Sequence, residues 1–127
     1  MKTTFAVLAA TTTAILLSTA APALAKDGDV RTSGPCQGVA HWKLKASAED
    51  RGIEVEGEID SNRAGQTWNW SLNHNGTVAA SGSRRTAGRS GSFEVRRVTG
   101  NRAGTDTFVF TARRPGTQQI CRGTVRF

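Results

Sequence analysis

From Ala40 to Phe127 the chain alternates apolar and polar positions with a period of two. Ala40, Trp42, Leu44 and Ala46 alternate with His41, Lys43 and Lys45. Ile53, Val55, Gly57 and Ile59 alternate with Glu54, Glu56, Glu58 and Asp60. Trp68, Trp70, Leu72 and His74 alternate with Thr67, Asn69, Ser71 and Asn73. Successive side chains of a strand point to opposite faces, so each run predicts a half-buried β-strand, and no stretch carries the 3.6-residue period of a helix. Asn75-Gly76 predicts a tight hairpin, because a type I′ turn needs positive φ at both central positions.

The second half continues in the same way. Residues 78–85 predict a weak edge strand, and residues 86–91 a loop. Phe93 and Val95 lead a strand expected to bulge at Arg96-Arg97, since Val98 breaks the alternation. Phe108, Phe110 and Ala112 predict another strand, ending at the turn Arg114-Pro115-Gly116-Thr117. Cys121, Gly123, Val125 and Phe127 form the last. Seven short strands separated by turns predict an all-β fold, an immunoglobulin-like antiparallel β-sandwich. The polar partners of Trp68 and Trp70 (Thr67, Asn69, Ser71 and Asn73) cannot fill a core, so these tryptophans are expected to point inward, as is Trp42. A place at a sandwich edge stays open for one of the three.

The first 25 residues have a different character. Lys2 is their only charge, residues 5–17 are mostly apolar, and Ala23-Leu24-Ala25 follows Pro22. A positive start, an apolar stretch and a small-x-small site are the anatomy of a secretory signal peptide. The expected organisation is a signal peptide over residues 1–25, a flexible leader over 26–37 and the sandwich over 38–127. No later stretch is apolar enough to span a bilayer, so the mature protein is expected to be secreted, with attachment to the cell envelope left open.

Export places the chain in an oxidising compartment, where two cysteines have one intramolecular pairing. A Cys36–Cys121 disulfide would close a loop of about 86 residues, a stabilisation of roughly 4–5 kcal/mol in the chain-entropy model. With 127 residues the chain has room for one domain and a modest core, not for a multidomain enzyme. Two cysteines cannot make a four-ligand thiolate site, two histidines leave little for a histidine-rich one, and no cofactor is expected.

The run Leu44-Lys45-Ala46, then Gly52-Ile53-Glu54-Val55-Glu56-Gly57-Glu58-Ile59-Asp60-Ser61-Asn62-Arg63, then Trp68 and His74-Asn75-Gly76, resembles small exported β-sandwich proteins of actinomycete-type bacteria. The resemblance implies fold and export and assigns no site residue.

Candidate chemistry is sparse. Glu54, Glu56 and Glu58 share one strand face with neighbours roughly 7 Å apart, within the range of an inverting glycosidase. On an open face all three stay ionised, and Lys43 and Lys45 offer cross-strand partners, so a salt ladder is the expectation. His41 and His74 lack metal-ligand spacing and are expected to be structural or solvent-exposed, and no residue is assigned a catalytic role. Asn62-Arg63-Ala64-Gly65 recurs as Asn101-Arg102-Ala103-Gly104, which reads as left-handed turn residues used twice.

The strongest hint is charge. The whole chain is formally +7 at pH 7. Residues 61–127 hold eleven arginines against Glu94 and Asp106, whereas residues 26–60 are net acidic. Arginine binds phosphate and carboxylate bidentately. Arg84, Arg85, Arg89, Arg96 and Arg97 are therefore the candidate binding residues, and Arg113, Arg122 and Arg126 stand on strands that could line the same sheet. The expected function is a non-enzymatic exported binding module contacting an anionic envelope or extracellular polymer. The alternative is an inhibitor of an extracellular protease presenting Arg89 on the 86–91 loop. Specific nucleic-acid recognition is not expected, because the aromatics belong to the core. Oligomeric state is not set by the sequence.

Overall fold

The computed structural model describes residues 28–127; the expected signal peptide and the first two leader residues lie outside the described residues. Eight strands follow in order: β1 (Asp29–Pro35), β2 (His41–Glu49), β3 (Gly52–Asp60), β4 (Thr67–His74), β5 (Thr77–Arg85), β6 (Ser92–Thr99), β7 (Thr107–Arg113) and β8 (Ile120–Arg126). They form two four-stranded antiparallel sheets: a first sheet ordered β1-β2-β3-β6 and a second ordered β5-β4-β7-β8. The expected β-sandwich is present. Taken without β1, the seven strands β2–β8 fall into orders first-second-fifth and fourth-third-sixth-seventh. This differs from the constant-type immunoglobulin order by moving the fourth strand to the other sheet.

Two expectations are corrected. Residues 29–35, read as flexible leader, form β1, paired to β2 from Asp29↔Ser47 to Pro35↔His41. Leader composition is polar, but an edge strand needs only every second side chain to touch the core, and Val30 does so. The second correction concerns the bulge expected at Arg96-Arg97. The β3–β6 register runs unbroken from Ile53↔Thr99 to Asp60↔Ser92. Val98 breaks the hydrophobic pattern because it faces outward while Arg97 takes the inward position. The irregularity lies instead between β4 and β5, at Leu72/Asn73, where Ala79 is the extra residue.

The core consists of the predicted inward positions. Leu44, Ile53, Val55, Ile59, Trp68, Trp70, Leu72, Phe93, Val95, Phe108, Phe110 and Val125 are buried together. Each aliphatic side chain of this size contributes roughly 1.5–3 kcal/mol by leaving water. Gly57 stands in the middle of β3 because the Phe110 ring lies against it; a Cβ there would come within 2.9 Å of the ring. Asn75 and Gly76 have φ of 49° and 86°, as the two-residue hairpin requires.

The edge between β1 and β8 is closed three times over. The Cys36–Cys121 disulfide joins the β1–β2 connection to β8. Gln37 bridges to Ile120, and the Thr32 hydroxyl donates to the Thr124 carbonyl at 3.0 Å. Trp42, the half-buried tryptophan, packs against Gly34 and Gly123 at the same edge.

Candidate functional site

The outward faces of the two sheets differ in chemistry. The first sheet presents Asp29 and Arg31 from β1, Lys43 and Lys45 from β2, Glu54, Glu56, Glu58 and Asp60 from β3, and Glu94 and Arg96 from β6. The register sets Lys45 and Arg96 on either side of Glu56. Lys45 Nζ reaches Glu56 Oε2 at 2.8 Å, and Arg96 reaches Glu56 at 2.5 Å, Glu94 at 3.7 Å and Glu54 at 3.8 Å. The hydrogen bond from Lys45 lowers the Glu56 carboxyl below its usual range; the charges of Lys45 and Arg96 add to this, while burial opposes it. A shallow groove of about 290 Å³ over this face is lined by Arg31, Lys43, Lys45, Glu56, Glu58 and Glu94. Its carboxylates stand among three cations, so the expected salt ladder is present around Glu56.

None of the four strands of the second sheet carries an acidic residue. Alternation turns Thr67, Asn69, Ser71 and Asn73 of β4 outward, since their neighbours are buried. The register sets Ser81–Ser71–Thr111–Arg122 in one row across the sheet and Ser83–Asn69–Arg113 in the next. Arg126 lies opposite Thr107, and Arg85 opposite Thr67. This face therefore carries four guanidinium groups (Arg85, Arg113, Arg122 and Arg126) among hydroxyls and amides. All four side chains belong to exposed residues. Among the described residues no ion pair engages them.

The five arginines expected to form one site do not come together. Arg84 and Arg85 are consecutive in a strand and so point to opposite faces; only Arg85 joins the outer face of the second sheet. Arg89 sits at the tip of the loop between β5 and β6. Arg96 is engaged by three glutamates of the first sheet. Arg97 points inward, its guanidinium carbon 5.2 Å from the centroid of the Trp70 ring. The physical reason is that β6 belongs to the acidic sheet, so arginines from the basic half of the chain are drawn against the acids of the other half. Arg113, Arg122 and Arg126 remain available and share one face with Arg85. Strand alternation signals their common orientation, but only the strand order shows that β7, β8 and β5 lie in one sheet.

The 86–91 loop is anchored rather than extended. Gly91 N–H donates to the Gly88 carbonyl at 3.2 Å, which closes a four-residue turn with Arg89 as its second residue. Thr86 is buried, its hydroxyl donating to the Arg63 carbonyl at 2.7 Å and accepting from Gln66 N–H at 2.9 Å. The first copy of the Asn-Arg-Ala-Gly repeat is thus the support of this loop, with Asn62 at φ 59°. The second closes on Asp106, whose carboxylate accepts from Arg102 N–H at 3.2 Å. The two copies share a composition and do different work.

His74 is buried, with 2% of its surface exposed, and Asp106 is fully buried. His74 Nε2 lies 2.5 Å from Asp106 Oδ1, and the ring stacks on Phe108 at 4.4 Å. This makes His74 a core residue, whereas His41 is exposed on the first sheet. The pair has no route to a substrate, and among the described residues no group of three metal-ligating side chains converges. The chain matches no family model, no curated protein and no solved structure.

Proposed function

We propose that this is an exported, non-enzymatic binding module that holds an anionic envelope or extracellular polymer on the outer face of its second sheet. The observation that supports it is the separation of charge by sheet: among the described residues every acid that stands on a strand belongs to the first sheet, and the second presents Arg85, Arg113, Arg122 and Arg126 on strands without an acidic residue. Guanidinium groups flanked by hydroxyl and amide donors suit phosphate or carboxylate groups repeated along a chain. That face has no aromatic ring on which a base could stack, which argues against single-stranded nucleic acid. The signal-like start and the resemblance to exported β-sandwich proteins support export. The protease-inhibitor reading is weakened by Arg89, because a protease cleft takes an extended segment and Arg89 sits in a closed turn.

Co-sedimentation of the disulfide-bonded protein with bacterial envelopes across a salt series tests the reading. Binding is expected to fall steeply with salt, by a slope near 0.7–0.9 per neutralised anion if the polymer behaves like nucleic acid. Arg113→Gln, Arg122→Gln and Arg126→Gln together should flatten that slope by about three such contacts. Absence of sedimentation at low salt would overturn the proposal.

A further inference from the structure

Four strands border the two sheets, and three are guarded. β1 carries Asp29 and Arg31 and ends on Pro35. β6 carries Glu94, Arg96 and Arg97. On β8 the Thr124 carbonyl is taken by Thr32, Ile120 is bridged by Gln37, and Cys121 is bonded to Cys36. Charges, prolines and covering contacts are how sheet proteins keep a free edge from pairing with another chain. Over residues 77–83 β5 holds no charge, no proline and no side chain larger than valine; its one guard there is the bulge at Ala79, and from Ala80 to Arg85 its register with β4 is regular. Of its nine residues only Ala80 is half-buried; the other eight are exposed, Val78 by 61%.

The direction of its free backbone groups follows from the hairpin. The residues flanking a two-residue turn, here His74 and Thr77, form a hydrogen-bonded pair, and such pairs alternate with non-bonded ones along the ladder. Past the bulge at Ala79, this alternation makes Ala80, Gly82 and Arg84 the bonded partners of Leu72, Trp70 and Trp68. Ser81, Ser83 and Arg85 then turn their N–H and C=O groups to the open side.

We propose that β5 pairs antiparallel with β5 of a second copy of this chain across a two-fold axis. The pairing joins two second sheets into one of eight strands. In registers centred on Ser81, Gly82 or Ser83, Arg84 and Arg85 fall opposite uncharged residues between 77 and 82 of the other copy. No like charges meet, and the same segment serves both sides, as a two-fold interface requires. The small side chains let the strands approach to ordinary sheet spacing. An acidic extended peptide would find complementary charge only at Arg84-Arg85, with nothing along 77–83 to select it. The second copy is the occupant that uses the whole strand.

Each copy carries a net positive charge, so pairing works against repulsion that salt screens. Self-association therefore strengthens with salt, the opposite of binding to a polyanion, and the two can be told apart in one series.

Sedimentation equilibrium of the disulfide-bonded protein over a range of concentration and salt is the test. The expected result is a reversible monomer–dimer equilibrium that tightens as salt rises. Ser81→Pro removes one outward N–H per copy at an edge position that tolerates proline, and should weaken the dimer by about tenfold or more. Ser81→Lys leaves the backbone donor in place and sets a charge on the pairing edge; it should weaken the dimer as well. Amide exchange at Ser81 and Ser83 should slow as the wild-type protein is concentrated. A monomer under every condition, a dimer that survives both substitutions, or association that weakens with salt would each overturn the proposal.

Discussion

The guanidinium of Arg97 lies over the Trp70 ring, 5.2 Å from its centroid, on the inner side of the border strand β6. An arginine in an inward position would normally oppose burial. Here the guanidinium itself lies against the face of the ring while the residue as a whole stays exposed, so the charge keeps its contact with water. Arg97→Ala should cost about 0.5–2 kcal/mol in chemical denaturation, with Arg97→Lys recovering part of it. Because Arg97 is not on the outer face of the second sheet, salt-dependent envelope binding by Arg97→Ala should match the wild type.

At the opposite edge, Trp42 lies so close to Gly123 that a methyl group there would run into the indole. Gly123→Ala should therefore destabilise the protein by about 1–3 kcal/mol. The cost should shrink in a Trp42→Ala background, where the ring no longer occupies the space, and a double-mutant cycle read by urea unfolding measures that coupling.

The buried pair His74–Asp106 ties the loop before β7 to the end of the chain, since the backbone of Asp106 also exchanges two hydrogen bonds with Phe127 at 2.9 Å. Asp106→Ala leaves the imidazole buried without its partner and should cost about 1–3 kcal/mol. Hydrogen exchange should then show the 101–106 loop and the last residues of β8 opening first.

Acid sensitivity should pass through Glu56. Its carboxyl titrates lower in the folded chain than in the unfolded one, so the folded state binds fewer protons there. The resulting stability is fully present above the ordinary carboxylate pKa of about 4.3. It is lost as pH falls below that value and through the lowered folded one. Glu56→Gln should be less stable than wild type at neutral pH, with a gap that closes in acid. Urea midpoints measured from pH 7 down to pH 3 would show a constant gap if Glu56 is not responsible.

Six of the seven strands after Cys36 are legible because each has one wet and one dry face, which a period of two marks directly; β5, exposed along almost its whole length, shows only as a weak edge strand after the Asn75-Gly76 turn. β1 was not legible, since an edge strand that buries little leaves almost no pattern in a polar segment. Arg97 misled in the other direction: a charge at an inward position looks like a register break until the tryptophan beneath it is known. The arginine site was legible as a charge bias and misplaced in its members, because sequence neighbours such as Arg84 and Arg85, or Arg96 and Arg97, point to opposite sides of a strand.

Local alternation, turn chemistry and counting are enough to read the β-sandwich, the inward tryptophans of β4, the Asn75-Gly76 turn and the two cysteines available to pair. Which strands share a sheet is set by the fold as a whole. That choice separates the acids from four of the arginines, buries His74 against Asp106 across 32 residues of sequence and leaves β5 as the bare edge. Local pattern sets which face of a strand is dry, whereas the neighbour of each strand is chosen by packing between segments far apart in the chain.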